Sequence, residues 1–258
     1  MVLDYQDLGL IVEVEGDVMT VTIDRPATKN SQTPEIWAAF VDICASIPQS
    51  VRFVVVRSTG NVFSSGLDRS VIDGSGSGLS LVDLATKDES ALRDFIQAAQ
   101  AGFSCWRSIP QTTIALVQGP AIGAGWQLAL SCDLILALPE STFALKETRL
   151  GLIPDLGGTG RLISAVGYHR AFDICSTGRE VSAGEAAQYG LARVAETSLD
   201  QSLQLTLDQL RGVPAQAVAE LKLLLDAVAE GAPSWEAEQD AQIRRLTDVL
   251  GQLRGAAS

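Results

Sequence analysis

Two acids, Glu147 and Asp155, stand in the run Phe143-Ala144-Leu145-Lys146-Glu147-Thr148-Arg149-Leu150-Gly151-Leu152-Ile153-Pro154-Asp155-Leu156-Gly157-Gly158-Thr159, which is otherwise poor in acids and rich in apolar residues, Gly and Pro. Desolvation in such a run raises a carboxyl pKa toward the range where the group can both take and return a proton. The same residues also suit structural roles, Glu147 favouring a helix start and Asp155 capping the next helix. Upstream, Gly119-Pro120-Ala121-Ile122-Gly123-Ala124-Gly125-Trp126-Gln127-Leu128-Ala129-Leu130 reads as a Gly-rich turn after a strand, opening a helix. Small residues admit a ligand close to the backbone, and the free N–H groups of a helix start favour developing negative charge, as an oxyanion hole requires. Tight helix-to-strand packing is the alternative use of those glycines. A second turn, Phe63-Ser64-Ser65-Gly66-Leu67-Asp68, also follows a buried strand and can present the N–H of Leu67; by itself it is equally a structural loop.

The flanking patterns supply the elements that must position these residues. Val12 and Val14, then Met19, Val21 and Ile23, alternate with polar residues about Glu15-Gly16-Asp17, which predicts a half-buried hairpin. A helix follows Thr33-Pro34, burying Ile36, Trp37, Phe40, Ile43 and Cys44. Strands are predicted at residues 52–56, 113–118 and 133–138, with a helix over 88–107 and a flexible loop over 73–78. Further helices are expected after His169 and at Ser182-Ala183-Gly184-Glu185-Ala186-Ala187. Three amphipathic ones, at 199–211, 215–230 and 234–253, form an all-helical tail broken by Pro214 and Gly231-Ala232-Pro233. Recurrent strand, turn and helix define an α/β chain, divided into a core at residues 1–197 and a helical region at 198–258.

Composition narrows the classes of function. With 258 residues, 47% hydrophobic and 19% charged, the chain can bury a large core. A net charge of -12 argues against nonspecific nucleic-acid binding, which needs a basic face to displace counterions from phosphates. Cys44, Cys105, Cys132 and Cys175 are scattered without metal-ligand spacing and read as reduced packing residues. No signal-peptide pattern and no membrane-length apolar run is present, so the expected location is the cytoplasm, with no membrane partner.

These motifs, taken in order, resemble the crotonase (enoyl-CoA hydratase/isomerase) superfamily over nearly the whole chain. Asp24-Arg25-Pro26 with Asn30 resembles the early CoA-binding signature, residues 63–68 the first oxyanion turn and residues 119–133 the second. Ile153-Pro154 with Gly157-Gly158-Thr159, Thr177-Gly178-Arg179 with Ala183, Glu185-Ala186 and Gly190-Leu191 continue the likeness. The resemblance implies a spiral of repeated ββα units with a C-terminal helical trimerisation region, assembled as a homotrimer or homohexamer. It implies an acyl-CoA thioester substrate of fatty-acid metabolism, coenzyme A being part of that substrate, with no prosthetic group and no metal. Leu67 and Ala124 would donate backbone N–H groups to the thioester oxygen. Arg25, Lys29, Arg69 and Lys222, with Ser65, Leu67 and Asp68 of the first turn, become candidate CoA contacts.

One position departs from the hydratase pattern. Hydratases of the family carry a first glutamate in the helix opened by the Gly-rich turn; here it is Gln127, and an amide cannot shuttle a proton at neutral pH. Glu147 matches the second glutamate, and Asp155 matches an aspartate of dienoyl-CoA isomerases, so the resemblance favours double-bond isomerisation. A hydratase using Glu147 alone and a non-catalytic acyl-CoA-binding protein remain as alternatives, with a thioester hydrolase or dehalogenase using Asp155 less favoured. The single histidine, His169, is expected to be structural, and Phe103, Trp106 and Trp126 either line an acyl pocket or fill the core.

Overall fold

The computed structural model describes residues 3–75 and 80–256, so residues 76–78 of the loop expected at 73–78 lie outside the described residues. Strands β1 (Leu3–Tyr5), β2 (Leu10–Glu15) and β3 (Val18–Ile23) precede helix α1 (Pro34–Ala45). Next come β4 (Phe53–Ser58), the helices α2 (Arg69–Asp73), α3 (Leu81–Ala85) and α4 (Glu89–Ser108), then β5 (Thr112–Val117), β6 (Pro120–Ile122) and α5 (Ala124–Ser131). The chain continues through β7 (Leu134–Ala137), β8 (Thr142–Ala144), α6 (Gly158–Val166), α7 (Tyr168–Thr177), β9 (Val181–Ser182), α8 (Ala183–Gln188) and β10 (Arg193–Val194). It ends in α9 (Leu199–Arg211), α10 (Ala215–Ala229) and α11 (Ser234–Ala256).

A seven-stranded sheet in the order β1-β2-β3-β4-β5-β7-β10 stands beside a three-stranded sheet in the order β6-β8-β9. The β2–β3 hairpin is antiparallel, and from β3 onward the large sheet is parallel. Twice in succession the chain lays one strand in the large sheet and the next in the small one before a helix, as β5-β6-α5 and β7-β8-α6. This alternation is the expected ββα spiral.

Residue chemistry explains the layers. All six residues of β5 are buried, as a parallel strand covered on both faces requires. All eight residues of α5 are buried too, so it is a core helix with no solvent face. One face of the large sheet packs on α1, α4 and α5 through Phe40, Phe103, Trp106 and Trp126. On the other face Leu199, Leu203 and Leu207 of α9 cover Phe53, Val55, Ile114, Leu116 and Leu136. The helical tail expected from residue 198 is therefore divided: α9 completes the core, and α10 and α11 form the outer pair. Among the described residues no helix is long and apolar enough to cross a membrane.

Lys222 fixes α10 to this core and cannot serve as a CoA contact. Its ammonium is buried, donating to the carbonyls of Trp106 at 3.0 Å and Gln111 at 2.9 Å and pairing with Asp133 at 2.9 Å. Asp133 in turn accepts from the Thr113 amide and hydroxyl at 2.7 and 2.9 Å, tying α10 to the β5–β7 edge. A cation so enclosed is unavailable to a phosphate, which corrects the sequence expectation. Replacing Lys222 by Met leaves a buried carboxylate and two carbonyls without their cation. The expected result is a loss of about 3 kcal/mol of unfolding free energy in urea titration; an unchanged midpoint would show the contact to be idle.

Candidate active site

The first turn is held by a chain of buried polar groups. Asn30 sits at φ 54 and its side chain donates to the carbonyls of Thr59 and Val62, both at 2.7 Å, while accepting from the Arg25 amide at 2.9 Å. Ser64 Oγ donates to the Asn30 carbonyl at 2.7 Å and accepts from Gln32 Nε2 and the Gly66 amide. Gln32 then brackets Leu67, its amide donating to the Gly66 carbonyl and its carbonyl accepting from the Asp68 amide, each at 2.8 Å. The Leu67 N–H is left out of this network.

The second turn pivots on Gly123, whose φ of 54 and ψ of -121 suit only glycine. Its amide donates to the Ala144 carbonyl at 2.8 Å and its carbonyl accepts from the Gln127 amide at 3.0 Å. Ala124 is the first residue of α5, where an amide has no intrahelical acceptor.

Backbone bonds join the two turns. The amides of Phe63 and Ser64 donate to the Pro120 carbonyl, and the Ile122 amide donates to the Ser64 carbonyl at 2.9 Å. Contact is so close that a Cβ on Gly66, itself at φ 89, would lie 2.6 Å from the Ile122 carbonyl and 3.3 Å from the Ala124 nitrogen. Among the described residues neither the Leu67 nor the Ala124 amide meets a protein acceptor. Two unpaired N–H groups thus belong to turns in direct contact.

Glu147 lies beside the second turn, with Asp155 near enough to act on its charge. Glu147 opens a short 3-10 turn, Glu147–Leu150, and a Cβ on Gly123 would stand 3.4 Å from its Oε1. Burial pushes the Glu147 carboxyl above the ordinary range; the Gln127 hydrogen bond opposes that rise and the charge of Asp155 adds to it. Its Oε2 is buried with no hydrogen-bond partner among the described residues. Burial raises the Asp155 carboxyl as well. Asp155 does not cap α6, because the cap position is Gly157 at φ 86 with no side-chain bond.

Gln127 fills the capping role from another helix. Its Oε1 accepts from the amides of Leu156 at 2.9 Å and Gly158 at 3.3 Å, while its Nε2 donates to Glu147 Oε1 at 2.8 Å. The amide is 1% exposed, and Gly158 must lack a side chain because a Cβ there would lie 2.8 Å from Gln127 Cγ. No local pattern in the sequence marks a cap supplied from α5 to α6; the Gly157-Gly158 pair was the one available signal.

The other expected site residues divide between the brace and the rim. Arg25 donates to the Ser31 carbonyl at 2.6 Å and pairs with Asp68 at 3.3 Å. Asp68 caps α2 and also accepts from Ser31; burial alone would raise its carboxyl, but hydrogen bonds from Ser31 and Ser70, with the Arg25 charge, hold it below the usual range. Both side chains are thus engaged in bracing the first turn. Lys29 and Arg69 are exposed cations flanking that turn, and the Ser65 amide donates to the Lys29 carbonyl at 3.0 Å. His169 is exposed. Trp106 packs edge-on to Phe40, and Trp126 packs on Phe143 in the core.

Comparison with known proteins matches this geometry to one family. Residues 13–249 match the family model described as enoyl-CoA hydratase/isomerase. The Arabidopsis thaliana protein named probable enoyl-CoA hydratase 2, mitochondrial, is 30% identical, covering 99% of this chain and 83% of its own. The peroxisomal Delta(3,5)-Delta(2,4)-dienoyl-CoA isomerase of the same plant is 26% identical, covering 86% of this chain and 82% of its own. A Thermobifida fusca YX protein provisionally named as an enoyl-CoA hydratase, crystallised in complex with acetoacetyl-CoA, aligns with a TM-score of 0.87 at 36% identity, covering 94% of this chain and 96% of that one.

The raised acids make stability depend on pH in a defined direction. Because the fold binds the Glu147 and Asp155 protons more tightly than the unfolded chain does, their contribution is full below the unfolded values near pH 4 and is lost as pH rises through the folded ones. Glu147→Gln or Asp155→Asn is therefore expected to stabilise the protein at neutral pH, with the gain vanishing below about pH 4. Denaturant titrations across that range read it out; a gain independent of pH would contradict the burial argument.

Proposed function

The chain belongs to the enoyl-CoA hydratase/isomerase family, and from that premise we propose that it moves a carbon–carbon double bond within an enoyl-CoA thioester. The observation that carries this reading is the commitment of Gln127. Both acceptor directions of its Oε1 are used by Leu156 and Gly158, and its Nε2 is aimed at Glu147, so it neither accepts from a water nor exchanges a proton. Hydration through two acids at positions 127 and 147 is thereby removed, whereas proton transfer between carbons needs only Glu147 with Asp155.

In the proposed reaction the thioester oxygen of a 3-enoyl-CoA docks on the Leu67 and Ala124 amides. Glu147, through its unpartnered Oε2, takes a proton from C2 as the C–H electron pair moves into the conjugated system. The resulting dienolate carries its charge on the oxygen held by the two amides, where one donor is worth about 3 to 4 kcal/mol of barrier. Glu147 or Asp155 then gives a proton to C4, and the double bond comes to rest between C2 and C3. In this reading Lys29 and Arg69, exposed beside the first turn, supply the positive charge for the CoA phosphates.

A second reading, hydration with Glu147 acting alone, is supported by the relatives named as hydratases. Proton exchange and product mass in heavy water separate the two. Under the isomerase reading, 3-enoyl-CoA is converted without gain of water, crotonyl-CoA is not hydrated, and Glu147→Gln lowers isomerisation about 10²–10⁴-fold. Rapid hydration of crotonyl-CoA with no isomerisation would reverse the assignment. Full isomerisation in both Glu147→Gln and Asp155→Asn would remove these acids from the mechanism.

Assembly as a homotrimer or homohexamer is part of this proposal. Leu150, Ile153, Tyr168 and Phe172 are 60 to 72% exposed, and Trp235 on α11 is 79% exposed, a distribution suited to burial between subunits. Sedimentation analysis is expected to give three or six times the chain mass; a monomer would refute it.

A further inference from the structure

Gln127 also lines a cavity of about 260 Å³ that Glu147 does not line. Gln127, Phe103 and Leu156 line it together with Gln100, Arg107 from the end of α4 and Arg161 from α6. The two guanidinium groups share one shielded carboxylate, Asp226 of α10, at 3.4 and 2.8 Å. Their other partner, Glu230, reaches Arg107 alone at 3.2 Å and is 70% exposed. Arg107 Nε and Arg161 Nε are buried without a hydrogen-bond acceptor among the described residues.

This combination is unsuited to a purely hydrocarbon tail. An apolar chain filling the cavity would leave two buried N–H groups of permanently charged side chains dry and unpaired. A carboxylate satisfies them, because guanidinium donors match its two oxygens and the hydrogen bonds are charge-assisted. Phe103 and Leu156 give the same cavity an apolar wall.

We propose that the cavity lined by Gln127 receives the far end of the acyl group and that Arg161 and Arg107 select acyl chains ending in a carboxylate, so that the substrate class is the monothioester of a dicarboxylic acid. This rests on the reading of the site as an acyl-CoA site, but not on which reaction follows binding. Arg161 stands three residues beyond Gly158, about 4.5 Å of helix rise past the Gln127 cap.

The test is calorimetric binding of unreactive saturated thioesters to the full-length protein: glutaryl-, adipoyl- and suberoyl-CoA against pentanoyl-, hexanoyl- and octanoyl-CoA. At low salt the best carboxylate-ended ligand is expected to bind about tenfold or more tightly than its methyl-ended match. Arg161→Met and Arg107→Met should each reduce that ratio while leaving hexanoyl-CoA affinity within a few-fold. Comparison of ligands on the unmodified protein needs no variant, so a variant that misfolds does not spoil the test. Equal or reversed affinities on the unmodified protein overturn the proposal, as does a carboxylate preference that survives both substitutions. If no thioester binds, the acyl-CoA site itself fails; if the preference is found but no double bond moves, only the isomerase reading fails.

Discussion

In the proposed reaction a backbone N–H that receives developing negative charge has to be kept unpaired in a protein interior, where almost every other amide is bonded. The structure meets that constraint by bonding everything adjacent. Gln32 uses the Gly66 carbonyl and the Asp68 amide on either side of Leu67, and the amides of Gly123 and Gln127 find acceptors around Ala124. Asn30, Ser64, Arg25 and Asp68 then stiffen the first turn, and the bonds from Phe63, Ser64 and Ile122 lock it to the second. Much of the polar interior of this region follows from leaving two donors free.

The acids obey the opposite constraint. Glu147 and Asp155 are placed where few groups stabilise their charge, so that burial rather than a salt bridge sets their proton affinity. Gln127 tempers this by giving Glu147 one hydrogen bond and leaving its second oxygen without a partner. A cation at position 127 would have made Glu147 a poorer base. The amide orients the carboxylate without neutralising it.

The sequence made the turns legible because glycine spacing is a local property: Gly66 and Gly125 occur where backbone meets backbone and would clash if substituted, and Gly123 at φ 54 turns the chain where a side chain would be strained. Strands such as β5 and helices such as α1 showed in their apolar patterns for the same reason. Long-range polar pairing did not show. Lys222 looked like any cation on an amphipathic helix, yet it binds carbonyls far back in the chain. Asp155 stood where a cap would stand, while the actual cap came from Gln127 on a different helix. The helical periodicity of α9 likewise could not reveal that its apolar face closes the core instead of joining the outer pair.

The bridge from Gln127 to both Glu147 and the start of α6 also bears on how this scaffold could change over generations. A single base change suffices to turn a glutamine codon into a glutamate codon, and a carboxylate at 127 would still accept from Leu156 and Gly158. It would also face Glu147 across the present 2.8 Å contact, where two carboxyls can be accommodated only by sharing a proton. The neighbouring backbone would need no rearrangement, since Gly158 already leaves the space. Position 127 is therefore a point at which one substitution would exchange a fixed amide for a second titrating acid, making the site evolvable between chemistries while its fold stays constant.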